Sequence, residues 1–60
     1  MKEVYDILLR YKIPLTASKV GELLPGKPLN FVCKNLWKLY FAGKVERVII
    51  GNIVYWKNNA

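Results

Sequence analysis

The stretch from residue 29 to residue 47 constrains the fold most, because its periodicity changes part-way along. Its apolar and small residues recur at offsets of 0, 4, 7 and 11, which places them on one face of a helix. These residues are Val32, Leu36, Leu39 and Gly43. Glycine readily takes the left-handed conformation that follows a last helical turn, so we expect one helix over residues 29–42. From Val45 onward the pattern is that of a strand.

The opposite side of this helix carries positive charge, an amide and two large aromatic rings. The residues on that side are Asn30, Lys34, Trp37, Lys38 and Phe41. Such a surface predicts a binding partner. Two starts for the helix are compatible with the sequence, namely Pro28 at the first helical position or Asn30 as the capping residue.

Two shorter helices are predicted before it. The first covers about residues 2–12, and its apolar stripe consists of Val4, Ile7, Leu8 and Tyr11. Pro14 ends this helix, and Thr16 is the expected N-cap of a second helix that runs to Leu24. Gly21 in a helix costs about 0.5–1 kcal/mol relative to alanine, so we expect it to permit close approach of the third helix.

A hairpin is predicted after the third helix. Val45–Ile50 and Ile53–Trp56 are rich in β-branched and aromatic residues, and Gly51-Asn52 between them is a typical two-residue turn. This turn predicts three cross-strand pairs: Ile50 with Ile53, Ile49 with Val54, and Val48 with Tyr55. Both faces of the hairpin are apolar, so one face needs a further strand, a bulge or a second molecule to cover it. Residues 58–60 are expected to be a frayed tail.

The composition favours one small binding domain over an enzyme. Sixty residues allow a single domain, residues 1–60, and 53% of them are apolar although the net charge is +6. This apolar content fits either a dimer or a densely aromatic core. The four acidic residues are scattered, and the chain has no histidine and no phosphate-binding glycine loop. We therefore expect no catalytic site and no cofactor.

The single cysteine excludes a disulfide framework within the chain, and the absence of histidine leaves no zinc-binding or Cys/His nucleophile pattern. Cys33 is interpreted as a small buried hydrophobe, with a redox sensor as the alternative. The sequence shows no secretory leader, and its longest apolar stretch is much shorter than the roughly 20 residues of a membrane helix. These features predict an intracellular protein without membrane contact.

The order of elements and several motifs resemble the winged helix-turn-helix family. The resemblance rests on LTASKVGELL, a turn, FVCKNLWKLYFAGKVER and a hairpin, and it covers about residues 4–57. It implies an α+β fold, in which a three-helix bundle with a helix-turn-helix is followed by a two-stranded wing. It also implies a duplex DNA-binding module of a transcription regulator or chromatin-associated protein, with the third helix in the major groove. The tip Gly51-Asn52 lies between isoleucines, so the wing is expected to contact DNA weakly.

The distribution of charge independently favours nucleic acid. Residues 1–24 contain four basic and three acidic residues, for a net charge of +1, whereas residues 25–60 contain six and one, for +5. Basic residues on the element that meets DNA neutralise phosphates and supply affinity that does not depend on sequence. The alternative is a solvated lysine face that only keeps the protein in solution.

The candidate DNA-binding residues are polar or basic side chains of the second helix, the turn that follows it, the third helix and the first strand. They are Ser18, Lys19, Lys27, Asn30, Lys34, Asn35, Lys38 and Arg47. The lysines suit phosphates or base edges, and an asparagine can pair with adenine in a groove. Capping is an equal alternative for Asn30, and Asn35 lies nearer the buried side of its helix.

Other partners remain open. Trp37 and Phe41, with Tyr40, would serve a second hypothesis, a protein-docking module in a replication, transcription or other assembly. A third hypothesis is RNA binding. A homodimer is expected to use apolar residues of the first helix and hairpin: Tyr5, Leu9, Tyr55 and Trp56.

Overall fold

A computed structural model describes residues 2–59 as a small α+β domain, in which three helices precede an antiparallel hairpin. The elements are α1 (Lys2–Arg10), α2 (Ala17–Glu22), α3 (Leu29–Phe41), β1 (Val45–Ile50) and β2 (Ile53–Asn58). This confirms the order of elements predicted from the sequence. None of the helices in residues 2–59 has the length and apolar character needed to cross a membrane.

Every helix and both strands contribute to one apolar core. The predicted stripe of α3 is confirmed, since Leu36 is completely buried and Leu39 is only 2% exposed. The buried apolar side chains are Val4, Ile7, Leu8, Leu15, Val20, Val32, Leu36, Leu39, Val45 and Trp56. The core therefore lies between the inner faces of the helices and one face of the hairpin.

The structure differs from the prediction at the ends of α1 and α2 and at the cap of α3. α2 ends at Glu22 and not at Leu24. α1 ends at Arg10, and Tyr11, which was expected in the core, is 37% exposed. α3 begins at Leu29, as the predicted range has it, but the N-cap is Pro28 and no side chain caps the helix. Pro28 is therefore not the first helical residue, and Asn30 is the second residue of the helix rather than its cap. The cap of α2 is confirmed, because the Lys19 backbone N–H donates to Oγ1 of Thr16 at 3.1 Å.

The predictions for Gly43 and Gly21 have different outcomes. Gly43 has a φ of +76°, which confirms that α3 ends in the left-handed conformation predicted for it. Gly21 is not crowded, since a Cβ built there would meet only Cδ1 of Leu29, at 3.8 Å. That is an ordinary van der Waals distance. The prediction that Gly21 permits close approach of α3 is therefore wrong.

The hairpin turns at Gly51 and Asn52, which both have positive φ values, of 54° and 67°. A two-residue turn with positive φ values matches the right-handed twist of the flanking strands. The three predicted cross-strand pairs are confirmed. β2 continues two residues beyond the predicted end, to Asn58.

The chain after Trp56 is held in place by hydrogen bonds. Asn58 pairs with Val45 across the hairpin, and its Nδ2 donates to the carbonyl oxygen of Leu8 at 2.8 Å. The Asn59 backbone N–H donates to the carbonyl oxygen of Lys44 at 3.0 Å. The predicted frayed tail is therefore wrong for Asn58 and Asn59, and Ala60 lies outside the described residues.

A one-residue bridge attaches the segment before α2 to the hairpin. The backbone of Leu15 donates to and accepts from the backbone of Trp56, at 2.8 and 2.7 Å. The bridge helps to hold Trp56 in the core, where it is only 5% exposed. Trp56 therefore cannot contribute its side chain to a dimer interface, and the interface predicted from the sequence is corrected at this residue.

Candidate nucleic-acid interface

The solvent-facing side of α3 carries the residues that the sequence assigned to it. Asn30, Lys34, Trp37, Lys38 and Phe41 are all exposed, while the opposite side of the helix packs in the core. This division follows from helical periodicity, because positions three, four and seven residues apart share a face. α3 thus presents two lysines and two aromatic rings on one surface.

Lys34 and Lys38 are two exposed basic residues on the solvent-facing side of α3. Among residues 2–59 neither lysine pairs with a carboxylate, because the three ion pairs of this region involve other lysines. Lys34 and Lys38 lie one turn apart on the exposed side of α3. Their charge is therefore not neutralised by a neighbouring carboxylate.

The basic residues near α2 are already partnered. Lys19 lies 3.8 Å from a carboxylate oxygen of Glu22, although both side chains are more than half exposed. Lys27 lies 3.9 Å from a carboxylate oxygen of Glu3, and its Nζ is 4.9 Å from the centre of the Phe31 ring. Exposed pairs of this kind contribute little to stability, so these lysines can exchange partners at low cost.

The remaining polar candidates separate into exposed and buried residues. Ser18 is exposed near the start of α2, and Asn30 is exposed in the first turn of α3. Asn35 is only 7% exposed, and its Nδ2 donates to the carbonyl oxygen of Phe31 at 2.9 Å. An amide that is buried and bonded to its own helix cannot reach a base. Asn35 is therefore removed from the candidate set.

Arg47 lies among aromatic rings at the junction of β1 and α3. Its guanidinium carbon is 4.5 Å from the ring centre of Trp37, 5.5 Å from that of Trp56 and 6.0 Å from that of Tyr40. These distances are typical of cation–π contacts. The Nε atom is buried and has no hydrogen-bond partner within residues 2–59. Arg47 therefore packs the hairpin against α3. From the sequence, only a contact with DNA was predicted for this residue.

The rings around Arg47 form a larger group, which we call the aromatic cluster: Trp37, Tyr40, Phe41 and Trp56. Trp37 stacks on Phe41, with ring centres 5.7 Å apart and an angle of 26° between the planes. It meets Tyr40 and Trp56 edge to face, at 5.7 and 5.3 Å. The cluster is buried at Trp56 and reaches the surface at Phe41, which is 79% exposed.

Sequence reasoning missed the part that Tyr40 and Trp56 play in holding Arg47. Extending the predicted hairpin register by one pair places Arg47 directly opposite Trp56, as the structure has it. Tyr40 follows Trp37 by three residues, so both rings share one side of the helix. The signal was present, but the positive charge of Arg47 was attributed to DNA contact alone.

Of the four residues expected at a dimer interface, one is exposed and three are buried or half-buried. Leu9 is 38% exposed, while Tyr55 is half-buried. Tyr5 is also half-buried and packs against the core, and Nζ of Lys44 lies 5.6 Å from the centre of its ring. With Trp56 in the core, Leu9 is the most accessible of the four predicted residues.

Within residues 2–59 no three histidine, cysteine or carboxylate side chains come together in a way that could hold a metal ion. Cys33 is half-buried and makes no disulfide. Comparison of the chain with known protein families, with curated proteins and with solved structures finds no match. Its function must therefore be inferred from its own residues.

Proposed function

We propose that this chain is a winged helix-turn-helix domain that binds duplex DNA through α3. The proposal rests on one observation, the pair of exposed lysines on α3 with no carboxylate partner in the described residues. Two cations one turn apart on an exposed helix suit successive phosphates of a nucleic acid. An α-helix also fits the width of the major groove.

The layout of the domain supports this proposal. A capped short helix, a tight turn and a longer helix precede the hairpin, which is the order that the family resemblance implies. Residues 25–60, which contain α3 and the hairpin, carry a net charge of +5. Most of the positive charge therefore lies on the half of the domain that would face DNA.

Each exposed candidate residue has a role in this arrangement. Lys34 and Lys38 contact phosphates or base edges, and Asn30 reaches adenine from the first turn of α3. Ser18 and Lys19 contact the backbone from the start of α2. Lys27 exchanges Glu3 for a phosphate. Arg47 acts indirectly, by holding the hairpin against α3.

We further propose that the domain serves a transcription regulator or a chromatin-associated intracellular protein, and that it binds without catalysis or cofactor. The absence of histidine and the scattered acidic residues support a binding role. A second candidate function is protein docking through Trp37 and Phe41. It is favoured by the exposure of Phe41, because large exposed aromatic side chains are enriched at protein interfaces.

The test compares two double variants that remove the same charge from different elements. Lys34→Ala with Lys38→Ala, and Arg10→Ala with Lys12→Ala, each lower the formal net charge by two, from +6 to +4. Affinity for a blunt-ended duplex is measured by fluorescence anisotropy over a series of salt concentrations. Circular dichroism checks that both variants remain folded.

We expect only the α3 variant to bind more weakly at every salt concentration. Its slope of log affinity against log salt should flatten by roughly 0.9 for each phosphate that the variant no longer neutralises. Equal effects of both variants would mean that binding responds to net charge alone. Parent-like affinity of the α3 variant would exclude α3 as the DNA-binding element.

A further inference from the structure

The exposed side of α3 alternates lysines with aromatic rings. Trp37, Lys38 and Phe41 follow Lys34 at offsets of 3, 4 and 7, so the four side chains occupy neighbouring turns of one face. We call this set the lysine–aromatic stripe. All four side chains are exposed, and no acidic residue occurs anywhere in α3. The stripe therefore combines flat apolar surface with positive charge that is not offset on its own helix.

The rings of the stripe are held in a fixed arrangement by their neighbours. Trp37 stacks on Phe41, and it also contacts Tyr40, Trp56 and the Arg47 guanidinium. Contacts on several sides restrict the rotation of the indole ring. Phe41 is 79% exposed and ends the stack at the surface. A further flat ring can therefore extend the stack beyond Phe41.

We propose that the lysine–aromatic stripe is a stacking platform for unpaired bases of a nucleic-acid strand. Proteins that bind single strands combine aromatic rings, on which bases stack, with cations that follow the phosphates. Lys34 and Lys38 provide such cations on either side of Trp37 in sequence. The faces of bases within a duplex are covered by their neighbours, so the platform takes bases at strand ends, gaps or melted segments.

A polyanionic strand fits the stripe better than an apolar protein surface does. An apolar partner would have to desolvate Lys34 and Lys38 without neutralising them, which carries a free-energy cost. A strand supplies phosphates for the lysines and rings for Phe41 together. This inference rests on the proposed function in one respect, namely that nucleic acid meets α3.

The experiment measures fluorescence anisotropy with three labelled DNA probes. They are single-stranded oligothymidine, a blunt-ended duplex, and the same duplex with an unpaired thymidine overhang. Phe41→Ala removes the exposed ring, and Phe41→Leu keeps an apolar side chain but removes the aromatic face. Ile13→Ala is the matched control, because Ile13 is 60% exposed and lies outside the stripe.

We expect both Phe41 variants to lose affinity for oligothymidine and for the overhang by about 5- to 150-fold per stacked base. Their affinity for the blunt duplex should not change. The Ile13 variant should bind all three probes as the parent does. Parent-like affinity of Phe41→Leu for oligothymidine would show that no ring stacking occurs and overturn the platform. Parent-like affinity of Phe41→Ala would overturn it too, even if the blunt duplex still depends on Lys34 and Lys38. A fourth outcome separates the two proposals. If the parent protein does not bind the blunt duplex, and the Phe41 variants lose the parent's affinity for oligothymidine, the platform is supported and the duplex proposal is refuted.

Discussion

Alanine at Gly21 and alanine at Gly43 should change stability in opposite directions. Gly21 lies in α2 and does not have a positive φ, so alanine there reduces the entropy lost on folding. The gain for a helical position is about 0.5–1 kcal/mol. The new Cβ would lie 3.8 Å from Cδ1 of Leu29, so no steric clash offsets this gain.

Alanine at Gly43 measures the cost of backbone conformation alone, without a steric contribution from the new side chain. Its φ is +76°, and a Cβ at this position would meet nothing within 4 Å. Alanine therefore makes no clash, and its cost is the roughly 1–2 kcal/mol of placing an L-residue in the left-handed region. The two variants should thus differ in their free energy of unfolding by about 1.5–3 kcal/mol.

Thermal unfolding followed by circular dichroism measures this difference. For a domain of this size we expect Gly21→Ala to raise Tm by about 2–8 °C and Gly43→Ala to lower it by about 4–16 °C. All variants are compared at one protein concentration, because self-association would make Tm depend on concentration. A lower Tm for Gly21→Ala would refute the reasoning and restore the close helix approach expected from the sequence. An unchanged Tm for Gly43→Ala would refute the left-handed end of α3.

Three further predictions address the core, the interface and the assembly state. Leu36→Ala should cost about 2–5 kcal/mol of the free energy of unfolding, measured in urea, because it opens a cavity at a fully buried site; a cost below about 1 kcal/mol would contradict this placement. Asn35→Ala should lose about 0.5–1.5 kcal/mol of stability but no DNA affinity in anisotropy measurements, and weaker DNA binding at unchanged stability would return Asn35 to the interface. Sedimentation should find a dimeric parent that Leu9→Glu dissociates. A monomeric parent refutes the dimer, and dissociation only by Phe41→Glu moves the interface to α3 and favours protein docking.

Much of the fold could be predicted because its signals are local. The apolar offsets of α3, the Thr16 cap and the Gly51-Asn52 turn each depend on residues within a few turns of chain. A two-residue turn also sets the strand register, so the cross-strand pairs followed directly from it. The candidate lysines of α3 were predicted for the same reason, since one face of a helix is fixed once the opposite face is known to be core.

The features that could not be predicted depend on contacts between distant segments. The bridge from Leu15 to Trp56 and the bond from Asn58 to Leu8 each join segments that are far apart along the chain. Asn35 is a local exception: it was placed nearer the buried side of its helix, and its burial is tolerated because the amide bonds a carbonyl of the preceding turn. The packing of Arg47 was not predicted, because charge alone does not reveal that three rings converge on it.

These long-range contacts bear on the proposed function because they fix the exposed side of α3 in the absence of a ligand. Arg47 holds β1 against α3, the Leu15 bridge holds β2, and both reach α3 through the aromatic cluster. A ligand that binds a surface already ordered loses less conformational entropy than one that must order it. Under the proposed function, Arg47 would strengthen nucleic-acid binding without touching the ligand. Since it shares Trp37 with the lysine–aromatic stripe, any movement of the hairpin away from α3 would also loosen the stack that ends at Phe41.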